Sequence, residues 1–223
     1  MPRPTAGPSR RPTGTPSRAR ARWLVGPAAV ALFGAGVVGC GGTDPFAPVA
    51  SFTTSLDSFV VYPVTGSPAA APTAVSLYTR SAVRPALLSG LVLNFDLAFD
   101  VDATGRVRLL PPKQLVASTA TSLVTGAQVI TNTTFDALLR APNTGYQYDS
   151  ATVVTPGQLV VIQTQGASTA SVACSSTSPM YAKLVVDSVV PSTQIPGTKA
   201  IYFRARIDPN CGFRSLDTGV PTN

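Results

Sequence analysis

The chain of 223 residues contains no histidine and no glutamate, so every one of its ten acidic side chains is an aspartate. Histidine is the commonest general base near neutral pH and the commonest metal ligand, and its absence removes the familiar histidine-dependent active sites and zinc centres. No serine sits in a Gly-x-Ser-x-Gly elbow, and none of the three lysines, Lys113, Lys183 and Lys199, stands in a Ser-x-x-Lys motif. No glycine-rich phosphate loop lies between a strand and a helix. Sustained 3.6-residue periodicity is missing beyond residue 40, which argues against a helical domain.

What is present begins with charge. The formal net charge is +7, which on its face invites a nucleic-acid or anionic-membrane reading. Six arginines (Arg3, Arg10, Arg11, Arg18, Arg20 and Arg22) fall before residue 40 with no acid among them. From Cys40 onward eleven cationic side chains face ten aspartates, without any compact basic run. Phosphate-backbone binding needs such a run, so nucleic acid is not an expected partner.

The basic stretch to Arg22 leads into an apolar segment from Trp23 to Val38, the layout of a secretory leader. At sixteen residues that segment is shorter than the roughly twenty needed to span a bilayer. A twin-arginine export signal at Ser9-Arg10-Arg11 lacks the apolar pair expected after it, since Pro12, Thr13 and Gly14 follow.

Val37-Val38-Gly39-Cys40 resembles the lipobox of bacterial lipoproteins, with Val38 standing where Ala or Ser is more usual. The resemblance implies diacylglycerol attached to the Cys40 thiol, cleavage just before it, and a membrane partner reached through the lipid. In that family an aspartate after the cysteine marks inner-membrane retention. Gly41 follows here, so the resemblance implies a cell-envelope protein at the outer membrane. It covers only the first forty or so residues and implies nothing about the domain behind them. The expected organisation is a leader over 1–39, a lipidated cysteine and tether over 40–48, and one domain over 49–223. Fully extended, the tether reaches about 30 Å.

Three cysteines would leave one unpaired in an exported protein. With Cys40 carrying lipid, Cys174 and Cys211 remain as an expected disulfide in an oxidising compartment. A reactive thiol at either position has no histidine to generate thiolate.

The strongest strand signal is Leu91 to Val101, where Leu91, Leu93, Phe95, Leu97, Phe99 and Val101 alternate with mostly polar residues. The alternation resumes at Val107 and Leu109, predicting a hairpin whose outer face carries Asp96, Asp100, Asp102, Arg106 and Arg108. A second hairpin is predicted between Tyr181–Val190 and Lys199–Ile207, with Lys183 as a solvent-face charge. Weaker strands are expected near 52–62, 74–79, 122–131, 146–154 and 158–165, and one short helical turn near 136–140. Many short strands without helices predict an all-β fold, a single antiparallel β-sandwich, immunoglobulin-like or related, with one disulfide.

Candidate sites are few. Asp100, Asp102 and Thr104 in "DVDATG" match the first half of a calcium loop, but Pro111 occupies the position of the bidentate glutamate and Arg108 another ligand position. A hairpin turn at Gly105 accounts for the same residues. Tyr146 and Tyr148 beside Asn143 and Asp149 suggest a surface for a glycan or an envelope protein, or half-buried sheet residues. Asp217-Thr218-Gly219 has the aspartic-protease tripeptide but stands alone near the carboxy terminus, where a frayed tail is expected. No cofactor is expected. The leading functional expectation is a lipid-anchored, non-enzymatic binding or structural module. The alternatives are an envelope hydrolase using aspartate or Ser–Lys chemistry and a calcium-dependent adhesion module.

Overall fold

A computed structural model of the chain describes residues 49–88, 92–116, 123–166, 174 and 177–221. All of them belong to one unit, Phe46–Asn223. The expected leader, Cys40 and the tether to Pro48 lie outside the described residues, as does Leu91.

Among the described residues twelve strands form: β1 (Ser55–Val61), β2 (Ala74–Ser76), β3 (Ser81–Val83), β4 (Leu87–Leu88), β5 (Val92–Leu93), β6 (Leu97–Val101), β7 (Val107–Leu110), β8 (Val124–Ile130), β9 (Thr152–Val154), β10 (Leu159–Gln165), β11 (Met180–Pro191) and β12 (Lys199–Asp208). One five-stranded antiparallel sheet runs β1-β12-β11-β10-β8 and a second runs β3-β2-β6-β7-β9, with β4 and β5 as a separate pair. The only regular helical element among the described residues is one 3-10 turn, Pro112–Gln114. The fold is all-β and sandwich-like, as the short β-branched runs predict.

The two sheets share a core because each strand sends every second residue inward. Ile201, Phe203, Ala205 and Ile207 of β12 are buried, facing Leu97 and Phe99 of β6 and Val107 and Leu109 of β7. Phe203 stacks on Phe99 with ring centroids 4.7 Å apart and on Phe59 of β1 at 5.0 Å, so three aromatic rings join the layers. The β11–β12 hairpin has the predicted register, with one shift between Val186 and Ser188.

The outer faces differ from the sequence reading. Alternation predicts that Asp96, Asp100 and Lys183 face water, yet all three are buried. The reason lies in the connectors. Leu93, Phe95, Leu110 and Leu123, with Val64, Leu115 and Val116, cover the outside of the β6–β7 sheet as a second apolar cluster. The segment around Phe135–Ala141 and the stretch at Leu216 cover the outside of the other sheet together with Tyr146 and Tyr181. The expected long strand from Leu91 is consequently two pieces, β5 and β6, separated by a bend that carries Asp96 inward. The expected helical turn is a single turn closed by Leu138 N donating to Thr134 O. The expected strand over 146–154 keeps only β9, with Gln147 as an isolated bridge to Ala127.

The register defines two ends. Ser55, Ile207 and Tyr181 lie at the end where the described chain begins, called here the tether-proximal end. Val61, Ile201 and the β6–β7 turn lie at the distal end.

Candidate functional site

The tether-proximal end is built from residues far apart in sequence. Cys174 and Cys211 form the disulfide, with Cα atoms 5.3 Å apart. One position earlier, the Asn210 amide clamps the approach to β1. Its Oδ1 accepts from Ser51 N at 2.8 Å and Phe52 N at 3.0 Å, and its Nδ2 donates to Phe52 O at 2.8 Å. Asp208 orients that amide, its Oδ1 accepting from Asn210 Nδ2 at 2.6 Å and Asn210 N at 3.0 Å. The Asp208 carboxyl is fully buried and its Oδ2 has no hydrogen-bond partner. Burial therefore raises its pKa to about 6, against the lowering effect of the Asn210 bonds. Thr54 N donates to Gly219 O at 2.9 Å, so the carboxy-terminal stretch is tied to the sheet at Gly219 rather than frayed there.

A second buried carboxylate pins the sheets together nearby. Asp96 Oδ2 accepts from Leu77 N at 2.7 Å and Oδ1 from Thr164 Oγ1 at 3.1 Å, and Thr164 bonds Thr125 at 3.0 Å. Burying a polar group without such partners costs on the order of 1–3 kcal/mol, so the set is structural.

Between these two features opens a cleft of about 240 Å³ lined by Phe52, Thr53, Tyr78, Arg80 and Pro209. Arg80 closes the turn from β2 to β3 with φ at 53°, the one described non-glycine residue in the left-handed region. Such a conformation costs about 1–3 kcal/mol for a residue with a side chain. The Arg80 side chain is exposed, and among the described residues it forms no ion pair and no carboxylate lines the cleft. Sequence reasoning missed this group, because no motif links Phe52, Arg80 and Pro209.

Other recesses also open among the described residues. One of about 210 Å³ is walled by apolar residues including Val64, Leu87, Leu93 and Phe95. Another, of about 180 Å³ at the distal end, is lined by Thr65, Asp102, Thr198 and Lys199 among others.

The sequence candidates separate in space and in role. Asp102 accepts from Thr104 N and Oγ1 and from Arg106 N through Oδ1, and pairs with Arg106 Nε at 2.8 Å through Oδ2. The Thr104 hydroxyl leads the bonds that hold this carboxyl well below the usual carboxylate range. Asp100 instead turns to Thr65 N at 3.2 Å and Thr65 Oγ1 at 3.0 Å, with Arg108 3.6 Å away. Asp100, Asp102 and Thr104 therefore spend their oxygens on the hairpin and its neighbour. No group of three or more metal-ligating side chains forms among the described residues.

Tyr146 packs on Tyr148 and Tyr181, each with ring centroids 6.3 Å away, and its hydroxyl donates to Pro142 O at 2.9 Å. Tyr148 is only half-buried and donates to Gln163 Oε1, while Gln163 Nε2 donates to Tyr181 Oη at 2.9 Å. Burial pushes both Tyr146 and Tyr148 pKa values up. Gly126 makes room for this pair, since a Cβ there would sit 2.5 Å from the Tyr148 ring. These tyrosines cover the sheet and leave Tyr148 alone partly open to solvent.

Lys183, expected at the surface, donates to Leu138 O at 2.8 Å and lies 4.8 Å from the centre of the Phe135 ring. Burial lowers its pKa, followed by the nearby Arg206 charge. Among the described residues its partners are a backbone carbonyl and a ring, not a serine hydroxyl. Searches against protein-family models, curated proteins and solved structures find nothing that matches this chain.

Proposed function

We propose that the chain is a lipid-anchored cell-envelope protein, held at the outer membrane through Cys40, whose sandwich serves a non-enzymatic binding or structural role. The single observation that carries this reading is the cysteine arithmetic. The disulfide joins Cys174 and Cys211, and Cys40, set in the lipobox-like Val37-Val38-Gly39-Cys40, is the one cysteine left over. A disulfide belongs to an exported protein, and a lipobox gives the remaining thiol its use. The sandwich supports a binding or structural role through its chemistry. Asp96, Asp100, Asp102 and Asp208 are each engaged in a separate structural set, and Lys183 is committed to a backbone carbonyl.

The test is the intact mass of protein extracted from membranes, before and after reduction and alkylation. The expected mass starts at Cys40, includes acyl chains, and gains two alkyl groups only after reduction. A mass without lipid, or with a thiol that alkylates before reduction, would remove the reading.

A further inference from the structure

The tether-proximal end exposes large apolar side chains in a connected stretch. Val49 is 85% exposed, Phe52 57% and Leu56 54% along the approach to β1, and Val220, 51% exposed, follows the Gly219 bridge to Thr54. Phe52 is not loose, because the Asn210 amide holds its backbone on both sides. Beside it the cleft presents the Tyr78 ring and the Arg80 guanidinium, which has no ion pair among the described residues. A turn position with positive φ suits glycine, and arginine there keeps a long cationic side chain at a conformational cost.

Chain length says which partner this end meets. Val49 is the first described residue and Cys40 precedes it by nine positions, so an acyl chain on Cys40 keeps Val49 within about 30 Å of the lipid headgroups. At a bilayer surface, aromatic and aliphatic side chains settle at the headgroup boundary, and guanidinium matches phosphate oxygens in a bidentate fashion. A diacylglycerol on Cys40 supplies two acyl chains and so holds the chain stably at the bilayer, where an apolar, cationic protein face beside the lipid has a surface to settle on.

We propose that the cleft and its apolar surround are a docking surface for the phospholipid bilayer, with Phe52 at the headgroup boundary and Arg80 on a lipid phosphate. The proposal rests on the anchored reading above and adds to it an orientation: the tether-proximal end faces the membrane and the distal turns face away.

The chain's only tryptophan is Trp23, in the expected leader. In a Trp23→Phe background of the full chain, Phe52→Trp or Val220→Trp becomes the sole tryptophan. Tyr202→Trp, on the exposed side of β12 toward the distal end, is the comparison. Each protein is extracted from membranes, its mass measured, and placed with vesicles of phosphatidylethanolamine and phosphatidylglycerol with and without brominated acyl chains. Both proximal reporters are expected to lose emission roughly twofold in brominated vesicles, as residues at the acyl boundary do, while Tyr202→Trp is unchanged. Adding Arg80→Gly to Phe52→Trp is expected to weaken the quenching. Acyl chains in the mass with equal quenching at all three positions would overturn the docking surface and leave the anchor standing. Quenching of the proximal reporters in protein without acyl chains would sustain the surface and remove the anchor, and the absence of both would overturn both.

Discussion

The two ends of the sandwich are held by different kinds of contact. At the distal end the turns close on themselves. Asp102 bonds Thr104 and Arg106, two and four residues on, and Ser192 Oγ accepts from Gln194 N and Ile195 N. Gly66, Gly105, Gly157 and Gly197 supply the positive φ angles these turns require. The tether-proximal end is closed by groups from opposite ends of the domain. The Asn210 amide reaches Ser51 and Phe52 across 159 and 158 positions of sequence, and the disulfide spans 37. Local closure makes an end that can tolerate change. Non-local closure makes one that ties both ends of the described domain into the fold and holds a set of exposed side chains fixed against each other.

Breaking the non-local end should cost the most. Replacing Cys174 and Cys211 together with alanine frees a 37-residue loop and is expected to lower stability by about 3 to 4 kcal/mol on the chain-entropy account. Urea denaturation of the variant beside the oxidised parent measures it. A loss under about 1 kcal/mol would mean that the Asn210 clamp already holds this end without the bridge.

The next effect is pH-dependent and also belongs to the proximal end. Asp208 has its pKa raised from 3.8 to about 6 in the folded protein, so the folded state binds its proton more tightly than the unfolded state does. Its contribution is full below about 3.8, falls as pH rises to about 6, and is flat above. Asp102 at the distal end has the opposite sign, its lowered pKa favouring the fold above the ordinary carboxylate value and ceasing to do so as pH falls. Thermal melts from pH 3.5 to 7 should show the Asp208 decline in the parent, and Asp208→Asn, which keeps the oxygen that Asn210 uses, should flatten it. An unchanged profile in the variant would assign the titration elsewhere.

The smallest effect compares two residues with positive φ, one at each end. Gly157 has no atom within 4 Å of a would-be Cβ, so Gly157→Ala meets only backbone strain and should cost about 1 kcal/mol. Arg80→Gly relieves strain at φ 53° and should leave stability within about 1 kcal/mol of the parent or slightly above it. Paired chemical denaturation curves decide this. A substantial loss on Arg80→Gly would make that arginine a structural residue and weaken its assignment to lipid phosphate.

How much was legible in the sequence follows the same division. The β6–β7 and β11–β12 hairpins were readable because alternation and a turn glycine lie within a single run of fewer than thirty consecutive residues. The disulfide was readable because three cysteines, one of them in a lipobox-like site, leave a single pair. Asp96 and Lys183 were misplaced because period two marks which residues share a face, not what covers it. The cleft was not readable at all: Phe52, Tyr78, Arg80 and Pro209 are scattered over more than 150 positions and meet because β1 pairs with β12 and the β2–β3 turn of the other sheet packs against them.

By itself, then, the sequence determined the β class, the strand faces, the tight turns and the cysteine pairing, since each depends on neighbours in the chain or on a count. Tertiary structure alone decided which polar groups are buried, which connectors cover the outer faces, and which side chains share the tether-proximal surface. Those outcomes depend on long-range closure, where a segment such as Phe135–Ala141 finds its place only after the sheet beneath it exists. The same closure supplies the hydrogen bonds that let Asp96 and Lys183 leave water.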